Sequence, residues 1–383
     1  MKTRRDFLKT TALAVAASAT RFAWASSGGQ TLGPVDVSGP KSLRGHAQAR
    51  ELLVGCAVIP EKLTGEPDYA SLVAAQANIL VPENALKWKA LRPAPDKFDF
   101  RGADTILAFA SAHGQKVRGH NLCWHEALPV WFDSAVTKEN ARQILTDHIS
   151  TVAGRYAGRL QSWDVVNEAI DPKAIDHGSG RLDNLRKSPW LDLIGPDYID
   201  VAFRTAREAD PKALLTYNDY GIETDAPDEV QKRAAVLELV RGMQKRRVPI
   251  DAVGVQSHLK MQNPVPGKGL RDFVRELRRM HLRVFVTELD VDEKKLEGSD
   301  SERDAAIARV YRDYVTMMVA ESNVDAVLTW GITDRYTWLN GPKWARPDGK
   351  PQRCLPFYAD YQPAPAFFAL RDALDSRQLP SRL

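Results

Sequence analysis

Residues 160–168 read LQSWDVVNE, a short apolar run that ends in the polar pair Asn167-Glu168. Working outward from it, seven more runs of this kind recur along the chain. The eight predicted strands are residues 52–58, 78–81, 116–124, 160–166, 214–218, 252–256, 283–287 and 325–330. Such short, β-branched runs are typical of strands buried on both faces of a parallel sheet.

Helical patterns separate these strands. Apolar residues recur at helical spacing in residues 68–76, 102–113, 138–156, 197–209, 228–245, 270–280 and 301–321. Eight strands that alternate with helices predict one α/β domain, a (β/α)₈ TIM barrel. A doubly wound open sheet is the alternative, but no Gly-x-Gly-x-x-Gly follows the first strand.

The first residues of the chain have the pattern of an export signal. Arg4-Arg5 precede Phe7-Leu8-Lys9, a weakly hydrophobic stretch over 10–20 and the small residues Ala23 and Ala25. We predict a twin-arginine signal peptide over 1–25, with export to the periplasm or the medium. A basic surface helix is the alternative. Residues 26–40, rich in Gly, Ser and Pro, predict a flexible arm, and residues 41–377 the catalytic domain.

The net charge gives no indication of a polyanionic partner. The full chain carries a formal charge of +4, but residues 1–25 hold five basic residues and one acidic residue, so the remainder is neutral. We therefore expect neither nucleic-acid nor membrane binding, and no apolar run reaches the roughly 18 residues of a membrane-spanning helix. We expect a monomer.

The three cysteines are predicted to be buried and unpaired. Cys56 falls in the first predicted strand and Cys123 in the third, so a strand between them sets them about 9–10 Å apart, too far for a disulfide. We interpret Cys354 in the same way. A twin-arginine substrate also folds in a reducing compartment before export.

Polar and aromatic residues cluster where the predicted strands end, which is where barrels carry their active sites. In chain order they are Glu83, Asn84 and Lys87; His120 and Trp124; Asn167 and Glu168; Asn218, Asp219 and Tyr220; Gln256 and His258; Glu288 and Asp290; and Trp330. Strict alternation along a strand would put Asp164, Val166 and Glu168 on one face. It would likewise align Val284 and Val286 with Glu288.

Glu168 and Glu288 are the candidates for a catalytic carboxylate pair. Cleavage of a glycosidic bond needs one protonated carboxyl group for the leaving oxygen and one ionised carboxylate at the anomeric carbon. For a single glutamate, the alternative interpretation is an ordinary helix-start carboxylate. Two such residues after two buried strands favour the catalytic interpretation.

The tryptophans indicate a sugar-binding cleft. Trp88, Trp124, Trp330 and Trp338 lie in or near strand-end loops, with Tyr220 among them, and aromatic faces suit the C–H faces of a pyranose. Each one taken alone could equally fill the core. We expect no metal or cofactor, since His120 and Cys123 differ in strand parity and no phosphate loop, His-Glu-x-x-His or Gly-x-Ser-x-Gly motif occurs.

Taken together, these motifs resemble those of the glycoside hydrolase family ten endo-xylanases. The resemblance is carried by ENALKW (83–88), RGHNLCWH (118–125), WDVVNEA (163–169), YNDY (217–220), VQSH (255–258), VTELD (286–290) and TWGITD (329–334). They occur in the family's order and span about 42–374. Gly221 departs from the family, where Asn is common, which puts sugar binding on the leaving-group side in doubt.

The resemblance implies a retaining, double-displacement hydrolase that cuts xylan and xylo-oligosaccharides internally. Glu168 would be the acid/base and Glu288 the nucleophile, with carboxyl groups about 5–5.5 Å apart. Lys87, His120, Asn167 and Trp330 would bind the sugar next to the cleaved bond, with Glu83, Asn84 and Trp338 one sugar further out. His258 would bridge Glu288 and Asp290.

Two alternatives remain open at this point. A β-1,4-glucanase or cellobiosidase of mixed specificity would share the same machinery, because xylose differs from glucose only by a missing hydroxymethyl group. Discrimination of that size is worth about 1–3 kcal/mol and would fall to Trp330 and Trp338. A polysaccharide-binding barrel without activity is the other alternative, which the presence of both glutamates disfavours.

Overall fold

Parallel strand pairing forms a closed ring in the computed structural model, which describes residues 35–173, 184–263 and 266–379. The strands are β1 (Leu53–Val58), β2 (Ile79–Pro82), β3 (Lys116–Cys123), β4 (Ser162–Asn167), β5 (Leu214–Asp219), β6 (Ala252–Val255), β7 (His258–Lys260), β8 (Arg283–Asp292) and β9 (Val324–Thr329). Consecutive strands pair from β1 to β6, β6 pairs with β8, and β9 pairs with both β8 and β1. All of these strands but β7 make the eight-stranded barrel, which confirms the predicted fold.

Strand β7 is a short addition at the rim of the barrel. It pairs with the far end of β8, where His258 lies opposite Asp290. This pairing extends β8 five residues beyond the predicted strand end at Thr287.

The helices wrap the outside of the barrel. They are α1 (Leu43–Ala49), α2 (Pro60–Gly65), α3 (Pro67–Gln76), α4 (Trp88–Leu91), α5 (Arg101–Ala112), α6 (Phe132–Ala135), α7 (Ala141–Arg155), α8 (Pro189–Ile194), α9 (Asp197–Ala209), α10 (Pro227–Lys245), α11 (Lys268–Arg279), α12 (Asp300–Val319) and α13 (Pro365–Leu374). Local sequence fixes several starts: proline opens α3, α10 and α13, and a Ser299–Glu302 capping box opens α12.

The seven predicted helices correspond to α3, α5, α7, α9, α10, α11 and α12. The prediction missed α13, which follows β9 after a long loop, and the short helices α1, α2, α4, α6 and α8. In the described part of the chain, no helix combines the length and apolar character needed to cross a membrane.

Two apolar clusters pack against the barrel strands, and a third, smaller one contains Leu339, Cys354 and Leu355. Ala57, Ile79, Val81, Phe285 and Leu328 fill the inside of the barrel. A much larger cluster lies between the strands and the surrounding helices. Both kinds of packing bury the strands on two faces, as the apolar runs predicted.

Strict strand alternation proved wrong on the two strands that carry the glutamates. Val165 and Val166 both belong to the outer cluster, and the pairing register of β4 shifts between Asp164 and Val166. On β8 the register shifts between Val286 and Leu289. The cause is one extra residue in each strand, which reverses the side-chain direction beyond it.

The three cysteines are free and buried, as predicted. Cys56 on β1 and Cys123 on β3 are separated by β2. Burial raises the pKa of the Cys56 thiol to about 12, and it raises the pKa of Cys123 as well. All three are therefore protonated and unreactive in the folded chain. The predicted signal peptide over 1–25 and most of the predicted arm lie outside the described residues.

Gly119 shows how tightly β3 and β4 pack beneath the site. A Cβ atom on Gly119 would lie 2.1 Å from the indole ring of Trp163. We predict that Gly119→Ala lowers the free energy of unfolding by about 1–3 kcal/mol or more, because a buried indole must move. Urea denaturation measures the change.

Gly154→Ala provides the matched control. Gly154 is exposed on α7 and its added Cβ would meet nothing within 4 Å. The substitution should be neutral or stabilise the fold by up to about 1 kcal/mol. If Gly119→Ala and the unsubstituted protein had equal urea midpoints of unfolding, the packing described for β3 and β4 would be contradicted.

Candidate active site

One cleft of about 550 Å³ opens at the carboxyl ends of the barrel strands. Except for Trp88, every residue predicted for catalysis or substrate binding lines it. They are Glu83, Asn84, Lys87, His120, Trp124, Asn167, Glu168, Tyr220, Gln256, His258, Glu288, Asp290, Trp330 and Trp338. The barrel closure thus brings together residues that lie up to 255 positions apart in the printed sequence.

Glu168 lies just past the end of β4, in a left-handed backbone conformation with φ of 59°. Its Oε1 accepts hydrogen bonds from Gln256 Nε2 at 2.8 Å and from Asn167 Nδ2 at 3.1 Å. Its Oε2 accepts a bond from Trp124 Nε1 at 2.9 Å. These donors fix both oxygens of a carboxyl group that is only 9% exposed.

Burial dominates the ionisation of Glu168. It raises the pKa of this carboxyl to about 7, with the negative charges of Asp219 and Glu288 adding to the rise. The hydrogen bonds from Gln256 and Trp124 work in the opposite direction and only partly offset it. A carboxyl with this pKa can hold or release a proton near neutral pH.

Glu288 is equally buried but ionises at much lower pH. Asn218 Nδ2 donates to its Oε1 at 2.8 Å, and His258 Nε2 lies 3.3 Å from its Oε2. Burial alone would raise its pKa, but the hydrogen bond from His258 and the positive charges nearby, including Arg118, lower it to about 2. Glu288 is therefore a permanent anion at neutral pH.

His258 is the cation that keeps Glu288 ionised. Its Nδ1 lies 2.9 Å from Asp290 Oδ1, so the ring sits between two carboxylates. Burial by itself would lower the pKa of this imidazole, but the charges and hydrogen bonds of Asp290 and Glu288 raise it well above its ordinary value. The charged ring donates to both carboxylates, as the resemblance implied.

Gln256 contacts both glutamates. Its side chain donates to Glu168, while its backbone carbonyl accepts the Glu288 N–H at 2.9 Å. Asn218 links the two residues by a second route, through Asn167 at 2.8 Å. The protonated and the ionised carboxyl groups are thus held in one hydrogen-bond network.

His120 lies on β3, deep in the cleft. Its Nδ1 lies 2.8 Å from Asp164, which also pairs with the buried Arg118. Burial lowers the pKa of His120, so the neutral ring donates from Nδ1 to Asp164, and its Nε2 is an acceptor that lies 3.4 Å from Asn121 Nδ2.

The wall on the β2 side is polar and carries a cation. Lys87 Nζ lies 3.2 Å from Asn84 Oδ1 and within 5.5 Å of the ring centres of Trp124 and Trp330. Burial lowers the pKa of Lys87 and raises that of Glu83. The arrangement offers donors and acceptors around two aromatic faces, which suits a sugar ring.

Trp338 forms the opposite wall. Its Nε1 donates to Asp290 Oδ2 at 2.7 Å, and its ring contacts His258 edge to face at 5.1 Å between centroids. Trp344, which was not predicted, packs against Trp338 at 4.9 Å and also lines the cleft. Trp88 belongs elsewhere: it is fully buried, stacked on His148 at 3.6 Å, and fills the core.

Tyr220 marks the other end of the cleft and is 39% exposed. Arg186 donates to its hydroxyl at 3.0 Å, and Lys232 Nζ lies 4.0 Å from its ring centre. A side chain at Gly221 would contact Lys232, so glycine leaves this end of the cleft open.

Besides Trp344, three residues that form hydrogen bonds in the site had no predicted role. Arg186 donates from Nε to the backbone carbonyl of Glu168 at 2.8 Å. Asn218 holds Glu288, and Glu223 lines the cleft and accepts a backbone bond from Ser257. Asn218 was visible as a strand-end residue, whereas Arg186 and Glu223 lie in loops without periodicity. The described part of the chain contains no group of His, Cys, Asp and Glu placed to hold a metal ion.

A closed (β/α)₈ barrel with two glutamates of opposite ionisation in a cleft walled by tryptophans defines the glycoside hydrolase class. Comparison with known proteins narrows the class. Residues 42–373 match the family model described as Glycosyl hydrolase family 10. The chain belongs to glycosyl hydrolase family 10, as the resemblance of its motifs had indicated.

Individual relatives and structures agree with this assignment. Endo-1,4-beta-xylanase A of Thermoanaerobacterium saccharolyticum is 36% identical over 83% of this chain, which spans 26% of that protein. Endo-1,4-beta-xylanase B of Thermotoga neapolitana is 34% identical, over 81% of this chain and 84% of its own length. Xylanase 10B from Thermotoga maritima superposes with a TM-score of 0.77 at 32% identity, covering 87% of this chain and 98% of its own.

Proposed function

We propose that this chain hydrolyses internal β-1,4-xylosidic bonds of xylan with retention of anomeric configuration. The observation that carries the proposal is the opposite ionisation of two glutamates in one network, with a pKa of about 7 for Glu168 and about 2 for Glu288. Between those values one carboxyl group is an acid and the other an anion. That is the pair of states that glycosidic cleavage needs, whether the anomeric configuration is inverted or retained, and retention is what the resemblance of the motifs implies.

The first step forms a covalent intermediate. A carboxylate oxygen of Glu288 attacks the anomeric carbon while the bond from that carbon to the glycosidic oxygen breaks. Glu168 gives its proton to the departing oxygen, so the leaving chain departs as a neutral alcohol. The glycosyl ester and the Glu168 carboxylate remain.

The second step reverses the roles. Glu168, now ionised, takes a proton from water, whose oxygen attacks the anomeric carbon and displaces Glu288. The ester removes the negative charge of Glu288, one of the charges that raise the pKa of Glu168. The pKa of Glu168 therefore falls in the intermediate, which keeps it ionised as a base.

Xylan as substrate follows from the relatives and the cleft walls. Several relatives are named as xylanases, and xylanase 10B from Thermotoga petrophila RKU-1, which superposes with a TM-score of 0.77 at 32% identity, is described in complex with xylobiose. Trp330 and Trp338 line the cleft near Lys87 and His258 and would crowd a hydroxymethyl group on a sugar there.

A glucan-cleaving activity is the second candidate. A protein named Exoglucanase XynX of Acetivibrio thermocellus is 36% identical over 83% of this chain, which spans 28% of that protein. The two activities share the glutamate pair, so only the relative rates on xylan and on carboxymethylcellulose separate them.

Two substitutions test the assigned roles. Glu288→Ala should reduce the release of reducing ends from xylan by at least roughly 10⁴-fold, because it removes the carboxylate that forms the glycosyl ester. Glu168→Ala should lower kcat/KM on xylan by about 10²–10⁴-fold, yet largely spare kcat/KM for a dinitrophenyl xyloside, because a good leaving group needs no acid when the glycosyl ester forms. Its kcat on the aryl xyloside should fall, since Glu168 is also the base of the second step. Initial rates at substrate concentrations far below KM measure kcat/KM on both substrates.

The matched control is Glu321→Ala. Glu321 is a buried carboxylate that accepts from Arg275 at 2.8 Å, outside the cleft, so its loss should lower stability and leave both rates unchanged. Substantial xylan hydrolysis by Glu288→Ala would contradict the role of Glu288 as the nucleophile. Equal losses of kcat/KM on the two substrates for Glu168→Ala would contradict the role of Glu168 as the acid.

We also propose that residues 1–25 direct export by the twin-arginine route, on the strength of Arg4-Arg5 and the residues after them. In a bacterium with this pathway, xylanase activity should appear outside the cytoplasm. It should stay inside when Arg4 and Arg5 are both changed to Lys. The same distribution of xylanase activity between cytoplasm and exterior for the unsubstituted chain and the double Lys variant would contradict the proposal.

A further inference from the structure

Ser257 occupies a strained position between two residues of the catalytic network. It follows Gln256, which donates to Glu168, and precedes His258, which holds Glu288. Its backbone φ of 66° lies in the left-handed region, which a residue with a Cβ atom adopts at a cost. Something in the surrounding structure must hold this conformation.

Glu223 supplies that contact from the loop after β5. Its Oε1 accepts the Ser257 N–H at 3.1 Å, and its Oε2 accepts the N–H of Ile222 at 2.7 Å. The carboxyl group is 3% exposed, so little water competes for the bond. The carboxyl group of Glu223 thus links the Gln256–Ser257 peptide bond to the loop that follows β5.

The side chain of Ser257 cannot substitute for this contact. Its hydroxyl bonds to the carbonyl of Val255 at 3.0 Å and to the hydroxyl of Tyr314 at 2.7 Å. Those bonds fix the side chain. The Ser257 carbonyl accepts the N–H of Leu259 at 3.0 Å and of Asp290 at 3.3 Å, while its own N–H donates to Glu223, its one partner within the described residues. The ionisable groups around Glu223 are Glu229 and Arg233 on α10, Tyr314 on α12 and His258 on β7.

We propose that Glu223 is a positioning residue for both catalytic glutamates, acting through the backbone of Ser257. The proposal rests on the catalytic roles given above to Glu168 and Glu288. By holding Ser257 left-handed, Glu223 keeps Gln256 against Glu168 and His258 against Glu288. Both of these hydrogen bonds lower the pKa of the glutamate that receives them.

The test is the pH profile of kcat/KM for Glu223→Gln on a xylo-oligosaccharide. Glutamine has one acceptor oxygen for these two N–H donors, so its amide should keep the shorter bond to Ile222 and turn its NH₂ group toward Ser257. Loss of the Ser257 contact should loosen both hydrogen bonds, so both glutamates ionise at higher pH. Activity falls as Glu168 loses its proton, and this basic limb should move upward by up to about one pH unit. Burial and the charge of Glu229 raise the pKa of Glu223 to about 7, so Glu223 gains its negative charge over the same pH range as Glu168. Removing that charge would by itself move the limb downward, so the direction separates positioning from charge.

Ser257→Gly supplies the rescue. Glycine adopts the left-handed conformation without the Cβ penalty, so Glu223→Gln combined with Ser257→Gly should reverse the upward shift and bring the basic limb to its original position or below it, since the charge of Glu223 is still absent. Glu321→Gln, a buried carboxylate outside the cleft, is the control for general destabilisation and should leave the limb in place. Should Glu223→Gln not fold, Glu223→Asp, one methylene shorter, gives the same comparison.

Each result decides the proposal. An upward shift that Ser257→Gly reverses supports it. A limb that stays in place, moves downward, or moves upward without rescue overturns it. The unsubstituted protein, assayed in the same series, tests the proposed function separately, because its hydrolysis of the oligosaccharide does not depend on what Glu223 does.

Discussion

Burying two carboxyl groups in one cleft costs free energy unless each is protonated or paired with a positive charge. The arrangement of the site depends on this constraint. Glu168 meets it by keeping its proton, since burial and neighbouring anions raise its pKa. Glu288 meets it by pairing with charged His258, which Asp290 holds on the other side. Because Glu168 is protonated and Glu288 is ionised, the same hydrogen-bond network holds an acid and a nucleophile.

The barrel delivers these side chains through departures from regularity. An ideal β4 would direct its residues alternately inward and outward, yet Val165 and Val166 both face the helices. The register shift there lets Asn167 and then Glu168 turn into the cleft, the latter with a left-handed backbone. A similar shift on β8 precedes Glu288. In both strands an irregularity directly precedes a glutamate of the site, as is common at functional sites.

The fold and the lining of the site could be predicted from the sequence because both depend on strand ends. Buried β-rich runs indicated eight strands, and polar residues directly after them had to meet at one end of the barrel. The side-chain direction could not be predicted, because a period of two fails at a register shift. Arg186, Glu223 and Trp344 were missed since they lie in loops, where only tertiary contacts reveal a role. Trp88 shows the reverse error, a strand-end tryptophan that fills the core.

The most direct test of this account is the ionisation of the two glutamates in the free enzyme. Carboxyl ¹³C-labelled glutamate would be incorporated, the two resonances assigned from the Glu168→Gln and Glu288→Gln variants, and their shifts followed against pH. Glu168 should titrate near pH 7, and Glu288 should remain ionised down to about pH 2. Two glutamates that both titrate near the ordinary 4.5, or in the reverse order, would contradict the division of charge on which the mechanism depends.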